Sequence, residues 1–115
     1  MSDDCIFCRI ASGAIPSTIV YRGGGVLAIE DLTPQAPTHV LVIPEAHHDT
    51  VADLAESGDT ALLSEVFSAA ARIGRERGGA DGFRLVVNSG PIAGQSVGHV
   101  HVHVLAGRPL AWPPG

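Results

Sequence analysis

Three histidines stand on alternate positions, His99, His101 and His103, with Val100 and Val102 between them and Val104 and Leu105 after them. The chain has six histidines, so half of them fall within five residues. Valine on every second position predicts a strand over 99–105, because a branched side chain suits a pleated, half-buried surface. Alternate strand side chains share a face, so the valines point to the core and the imidazoles line the other side. Imidazole changes charge, binds metal and attacks electrophiles near neutral pH. At about 3.3 Å per residue, His99 and His103 would stand roughly 13 Å apart, too far for one zinc ion to collect all three. At least one imidazole therefore has other work. The plainer alternative is a solvent-facing strand whose polar residues are histidine. Gly90, Gly94 and Gly98 upstream favour a loop shaped around a ligand.

A second chemical motif is Cys5-Ile6-Phe7-Cys8, whose two-residue gap suits a zinc half-site or a redox pair. No thioredoxin-like βαβ pattern follows it, which disfavours the redox reading.

These residues need elements to position them. With 115 residues, the chain is long enough for one core and one domain, spanning 1–115. Aromatics make up 4%, so the core must be Val, Ile, Leu and Ala. Residues 5–11 suit a short helical turn closed by Ser12-Gly13. Strand candidates are 19–21, 26–30, 39–44 and 83–88, with Arg22-Gly23-Gly24-Gly25 as a turn and Pro44 as a stop. One long helix is predicted over 60–77. Leu62, Leu63, Val66, Phe67, Ala70, Ile73 and Gly74 form its apolar face, with Asp59 as N-cap and Gly78-Gly79 as stop. The expected fold is α+β: about five antiparallel strands, one main helix and a short N-terminal helix.

The formal charge of −5, with seven Lys plus Arg, disfavours a nucleic-acid polymer as partner but not a mononucleotide. No apolar run is long enough to span a membrane and no signal-peptide pattern opens the chain, so the expectation is a cytoplasmic protein. A Walker-type Gly-Lys-Ser/Thr stretch is absent, which argues against a magnesium-bound triphosphate.

The run from Gly94 to Val104 resembles the signature of the histidine triad (HIT) superfamily of nucleotide hydrolases and transferases. Asp31, Pro34-Gln35-Ala36-Pro37-Thr38-His39, Val42-Ile43-Pro44, Val86-Val87-Asn88 and Trp112-Pro113-Pro114-Gly115 are similar to the Hint branch. The resemblance runs from Cys5 to the last residue. It implies a HIT-like fold, a homodimer sharing one continuous sheet, and hydrolysis of purine nucleoside phosphoramidates, including AMP amides and, in some members, aminoacyl-adenylates. A dinucleoside polyphosphate hydrolase, the activity of the Fhit branch, is the alternative within the superfamily; the Trp-Pro-Pro-Gly ending favours Hint. A nucleotide-binding interaction protein with incidental catalysis, and a metallohydrolase, are readings of other kinds.

By similarity His101 is the nucleophile, forming a nucleotidyl-imidazole that water clears. To attack it needs a neutral ring nitrogen, and a backbone carbonyl nearby is the natural holder of the other ring proton. His103 would donate to the phosphoryl oxygens, helped by Ser96, Asn88 and the backbone of Gly94, Gln95, Val97 and Gly98. Asp31 would accept from both ribose hydroxyls, although a turn-capping aspartate before Thr33-Pro34 is also consistent. Ile29, Leu32 and Val26 would form the purine slot. The resemblance places His39 in a proton relay, and a structural histidine reads equally well. Some bacterial relatives join such cysteines to two histidines, here His47 and His99, making a closed Cys₂His₂ zinc site. Zinc would tie the N-terminal segment to the catalytic strand; His48 is a neighbouring alternative to His47. Neither a catalytic metal nor an organic cofactor is expected. Trp112, in an extended tail over 107–115, would reach across the dimer interface or else anchor the C-terminus.

Overall fold

The computed structural model describes residues 4–115. Its elements are α1 (Ile6–Ser12), β1 (Ile19–Gly23), β2 (Val26–Glu30), β3 (Thr38–Pro44), α2 (Val51–Glu56), α3 (Thr60–Gly78), β4 (Arg84–Val87) and β5 (Val102–Ala106). The five strands form one antiparallel sheet in the order β1-β2-β3-β5-β4. No helix among the described residues is long and apolar enough to cross a membrane.

Both faces of the sheet are covered, and strand alternation assigns each residue to one of them. Val26, Ala28, Val40, Val42, Val102 and Val104 pack under Val66, Ala69, Ala70 and Ile73 of α3. Leu27, Ile29, Leu41 and Ile43 face the other way, against Cys5, Phe7, Cys8 and Ile10 of the α1 region. The central strands therefore lack polar alternation: all seven residues of β3 are buried. Gly74 lets α3 sit close to the sheet end, since a Cβ there would stand 2.3 Å from Cδ2 of Phe83.

The long helix keeps its predicted cap, with the Asp59 carboxylate accepting from the Leu62 N–H. Helix α2 was not expected. Its signal is Thr50, whose hydroxyl accepts from the Asp53 N–H, a side-chain cap three residues before an acidic residue.

The histidine strand is shorter than predicted. Pairing starts at Val102, opposite Val42 and Val87, so His99, Val100 and His101 lie before the ladder. The cause is the end of β3 at Pro44, which has no N–H to offer. Beyond it the Val100 N–H donates to the His48 carbonyl and the His99 N–H folds back to Val97.

Candidate active site

His39 lies on β3 and His103 on β5, each two positions away from the residue opposite the other, so they are diagonal neighbours on the α1-side face. His39 Nε2 and His103 Nδ1 are 2.9 Å apart. The direction of that bond follows from the other ring nitrogen of His39, which accepts from the Gln35 N–H at 3.0 Å. An acceptor nitrogen carries no proton, so His39 holds its proton on Nε2 and donates it to His103 Nδ1. His103 then presents Nε2–H. Burial, with His101 and His39 nearby, pushes His103 down to about 4 against the weaker opposing pull of Asp31. At neutral pH it is an uncharged donor.

His101 is buried, and its Nδ1 lies 2.8 Å from the carbonyl oxygen of His99. A carbonyl only accepts, so Nδ1 carries the proton and Nε2 keeps its lone pair. That is the tautomer an imidazole nucleophile needs. The His101 and His103 ring centroids are 5.1 Å apart, which sets the lone pair beside the donor.

The His99 ring is fully buried and turns away from this pair. Its Nε2–H donates to the Pro44 carbonyl at 2.7 Å, leaving Nδ1 3.2 Å from Cys5 Sγ and 3.6 Å from Cys8 Sγ. His47 repeats the pattern: Nε2–H donates to Asp49 at 2.7 Å, and Nδ1 is 3.3 Å from Cys8 Sγ. Burial holds the His99 imidazole below its ordinary value, keeping it a neutral ligand. The four donor atoms lie within 4.8 Å of one another. Sulfur–nitrogen separations of this size are those of neighbouring corners of a tetrahedron with bonds near 2.3 and 2.0 Å. Both rings also have their outer N–H on an oxygen acceptor, the usual support for a ligating histidine. The residues therefore fit zinc. His48 stays outside the set and contributes its carbonyl to Val100.

Asp31, His39 and His103 form a second cluster of possible ligands. Its polarity is wrong for metal: the outer nitrogen of His39 faces a donor, so its inner nitrogen is already protonated.

Asp31 divides its carboxylate. One oxygen accepts from the Thr33 N–H at 2.8 Å, the turn-capping role, and the other lies 3.3 Å from His39 Nε2. Beside it is an apolar cavity of about 180 Å³. Ile29 and Leu32 line it as expected, with Leu32 exposed at the rim. Val26 does not: it is fully buried on the α3 face, because two strand steps short of Ile29 would share a face and three do not. Ile6, Phe7, Ile10, Ile15 and Leu41 are further apolar lining residues, which sequence reasoning missed. The signal lay in the apolar residues between and just after the two cysteines.

Ser96, Val97 and Gly98 line a separate hollow with Cys5, Ile6 and His47. The Asn88 amide sits against Gly94, whose φ of 102° suits glycine. Of the backbone donors expected in this loop, the Gly94 N–H donates to the Pro91 carbonyl and the Gln95 N–H to the Gly90 carbonyl. The Gln95 side-chain amide donates to the carbonyls of Asp49 and Val97 and accepts from the Gly90 N–H, so the side chain builds the loop. Trp112 is 82% exposed and anchors nothing within the described chain. The tail is held instead by Arg84, which donates to the carbonyls of Leu110 and Ala111.

A buried imidazole with a free lone pair, an uncharged histidine donor and an adjacent apolar cavity with a carboxylate at its mouth stand together on an antiparallel α+β sheet. The chain belongs to the HIT domain family, whose model matches residues 12–110. It is 44% identical to the 14 kDa zinc-binding protein of Brassica juncea, over 97% of this chain and all of that one. It is 43% identical to Adenylylsulfatase HINT1 of Arabidopsis thaliana, over 96% of this chain and 76% of that one. A crystal structure of a HIT family hydrolase from Legionella pneumophila superposes with a TM-score of 0.90 at 42% identity, covering 97% of this chain and all of the other.

Proposed function

We propose that this HIT-family hydrolase cleaves the phosphorus–nitrogen bond of purine nucleoside 5′-phosphoramidates through a nucleotidyl intermediate on His101. The observation that carries this reading is the His101–His99 hydrogen bond, which leaves Nε2 as an attacking lone pair. Nε2 forms a bond to phosphorus as the bond to the leaving nitrogen breaks, and the nitrogen departs as an amine with a proton taken from solvent. Water then attacks phosphorus, giving a proton back to solvent, releasing the mononucleotide and returning the electron pair to Nε2. His103 Nε2–H, Ser96, Asn88 and the backbone N–H groups of Val97 and Gly98 stabilise the phosphoryl oxygens. Asp31 takes the ribose and the Ile29–Leu32 side of the cavity takes the base.

Cys5, Cys8, His47 and His99 would hold zinc, which would supply structural cross-linking of the N-terminal segment to the approach to β5. We further infer a homodimer in which one domain of each chain adds to a shared sheet. Support comes from the open edge at β4 and from the exposed Trp112 in the tail beside it.

A second substrate reading has its own support. An uncharged His103 donates hydrogen bonds but has no spare proton for a basic leaving nitrogen. Sulfate departs without one, so adenylyl sulfate, the substrate class for which the Arabidopsis Adenylylsulfatase HINT1 is named, suits the same intermediate.

The test is intact-protein mass spectrometry after brief reaction with AMP phosphoramidate or adenylyl sulfate, wild type beside His101→Ala. A nucleotidyl adduct on wild type alone is expected. Turnover by His101→Ala at the wild-type rate would sink the reading.

A further inference from the structure

The segment Cys5-Ile6-Phe7-Cys8 serves two sites at once. Its two cysteines carry half of the metal donor set, and Ile6 and Phe7 between them line the apolar cavity beside Asp31. Ile10, one turn on from Phe7 in α1, lines it too. Cys5 is also the N-cap of α1, its Sγ accepting from the Cys8 N–H, so the sulfur that faces the metal position starts the helix. Phe7 bridges the sites directly. Its ring centroid lies 5.8 Å from that of His99, in the metal set, and 5.2 Å from that of His101. The contact is edge-on in both cases.

Helix α1 has only seven residues, too few to be stable in isolation. Its position depends on what its side chains are fastened to. On the far side of the metal donors, His99 fastens to Pro44 and His47 to Asp49, both outside the helix. A metal joining the four donors would pin α1 to the end of β3 and to the loop before β5.

We propose that zinc occupancy at Cys5, Cys8, His47 and His99 and nucleotide occupancy of the cavity are thermodynamically linked, each tightening the other through Phe7 and the rest of α1. The inference rests on the nucleotide reading above. Linkage is reciprocal: whatever factor zinc adds to nucleotide affinity, nucleotide adds to zinc affinity. Coupling through a directly shared wall is expected at about fivefold or more.

The experiment uses the full chain and AMP. AMP affinity is measured by calorimetry on zinc-loaded protein and on protein stripped by a chelator, with folding of the stripped form checked by circular dichroism. Zinc transfer to a colorimetric chelator is then followed with and without saturating AMP. AMP binding at least about fivefold weaker without zinc, and zinc affinity raised by the same factor with AMP, are the expected results. Equal AMP affinity in the two folded forms overturns the linkage while leaving the nucleotide reading intact. Absence of AMP binding to either form overturns the nucleotide reading itself, and failure to hold zinc overturns the linkage.

Should the stripped chain unfold, two zinc-loaded variants decide. Phe7 and Ile15 both line the cavity, but only the Phe7 ring touches His99. Saturating AMP is expected to slow zinc release several-fold in wild type and in Ile15→Ala, and to change it little in Phe7→Ala. No effect of AMP on release from wild type, or an undiminished effect in Phe7→Ala, overturns the proposal.

Discussion

The carbonyl of His99 holds the ring proton of His101 at 2.8 Å, while the His99 ring itself faces two thiols. One residue thus serves the nucleophile with its backbone and the metal donor set with its side chain. The two tasks do not compete, because the carbonyl and the imidazole of His99 are separate groups pointing apart. Removing the side chain should leave the tautomer of His101 in place as long as the backbone holds its path.

His101→Ala should lower turnover by at least about a thousandfold, since it deletes the lone pair proposed to form the intermediate. His101→Asn should be no better, as an amide nitrogen is not nucleophilic. Steady-state assay with AMP phosphoramidate, alongside the mass measurement of the adduct, checks both variants.

The ring protons can be read directly by nitrogen-15 NMR of the imidazoles at neutral pH. His39 and His103 should carry their protons on Nε2 and His101 on Nδ1, as their partners Gln35 N–H and His99 carbonyl require. Finding His103 protonated on Nδ1 would reverse the donor direction argued for the site.

His103 also makes stability depend on pH. Its folded-state value of about 4 lies below the ordinary 6.5, so between these limits the unfolded chain binds the extra proton. Stability from this residue is therefore fully present above about pH 6.5 and falls as pH drops towards 4, by on the order of 3 kcal/mol. Chemical denaturation of wild type and His103→Asn at a series of pH values should show a shallower slope for the variant across that window.

Loss of the proposed zinc should loosen the N-terminal segment first. Cys8→Ser is expected to abolish stoichiometric zinc and to cost on the order of 3 kcal/mol, with helix α1 losing protection in hydrogen exchange before the sheet does. Unchanged zinc content by elemental analysis would refute the assignment of Cys8 as a ligand.

Gly74→Ala tests the close approach of α3. Alanine favours the helix by up to about 1 kcal/mol, but its Cβ would stand 2.3 Å from Cδ2 and 2.5 Å from Cγ of Phe83. Overpacking of this kind costs about 1–3 kcal/mol, so the net effect is destabilising. Pairing it with Phe83→Ala should give less than the sum of the two single costs in thermal or denaturant unfolding.

Periodicity and local chemistry in the sequence determined the α+β class, the main helix with its Asp59 cap, the four earlier strands to within two residues, and the valine face of the histidine run. These depend on neighbours in the chain, so the residues themselves reveal them. The metal set and the histidine pair are different. Cys5, Cys8, His47 and His99 meet only because α1, the segment after β3 and the approach to β5 converge at the Pro44 end of the sheet. His39 and His103 meet only because β3 and β5 pair in one particular register. The tertiary structure also decided which residues line the cavity, excluding Val26 and admitting Ile6, Phe7 and Ile10. The central strands β2 and β3 are buried on both sides, so composition cannot say which of their faces looks on the helix and which on the site. Direction of the proton in each imidazole was likewise beyond the sequence, since it is set by a backbone N–H or carbonyl that folding brings within 3 Å.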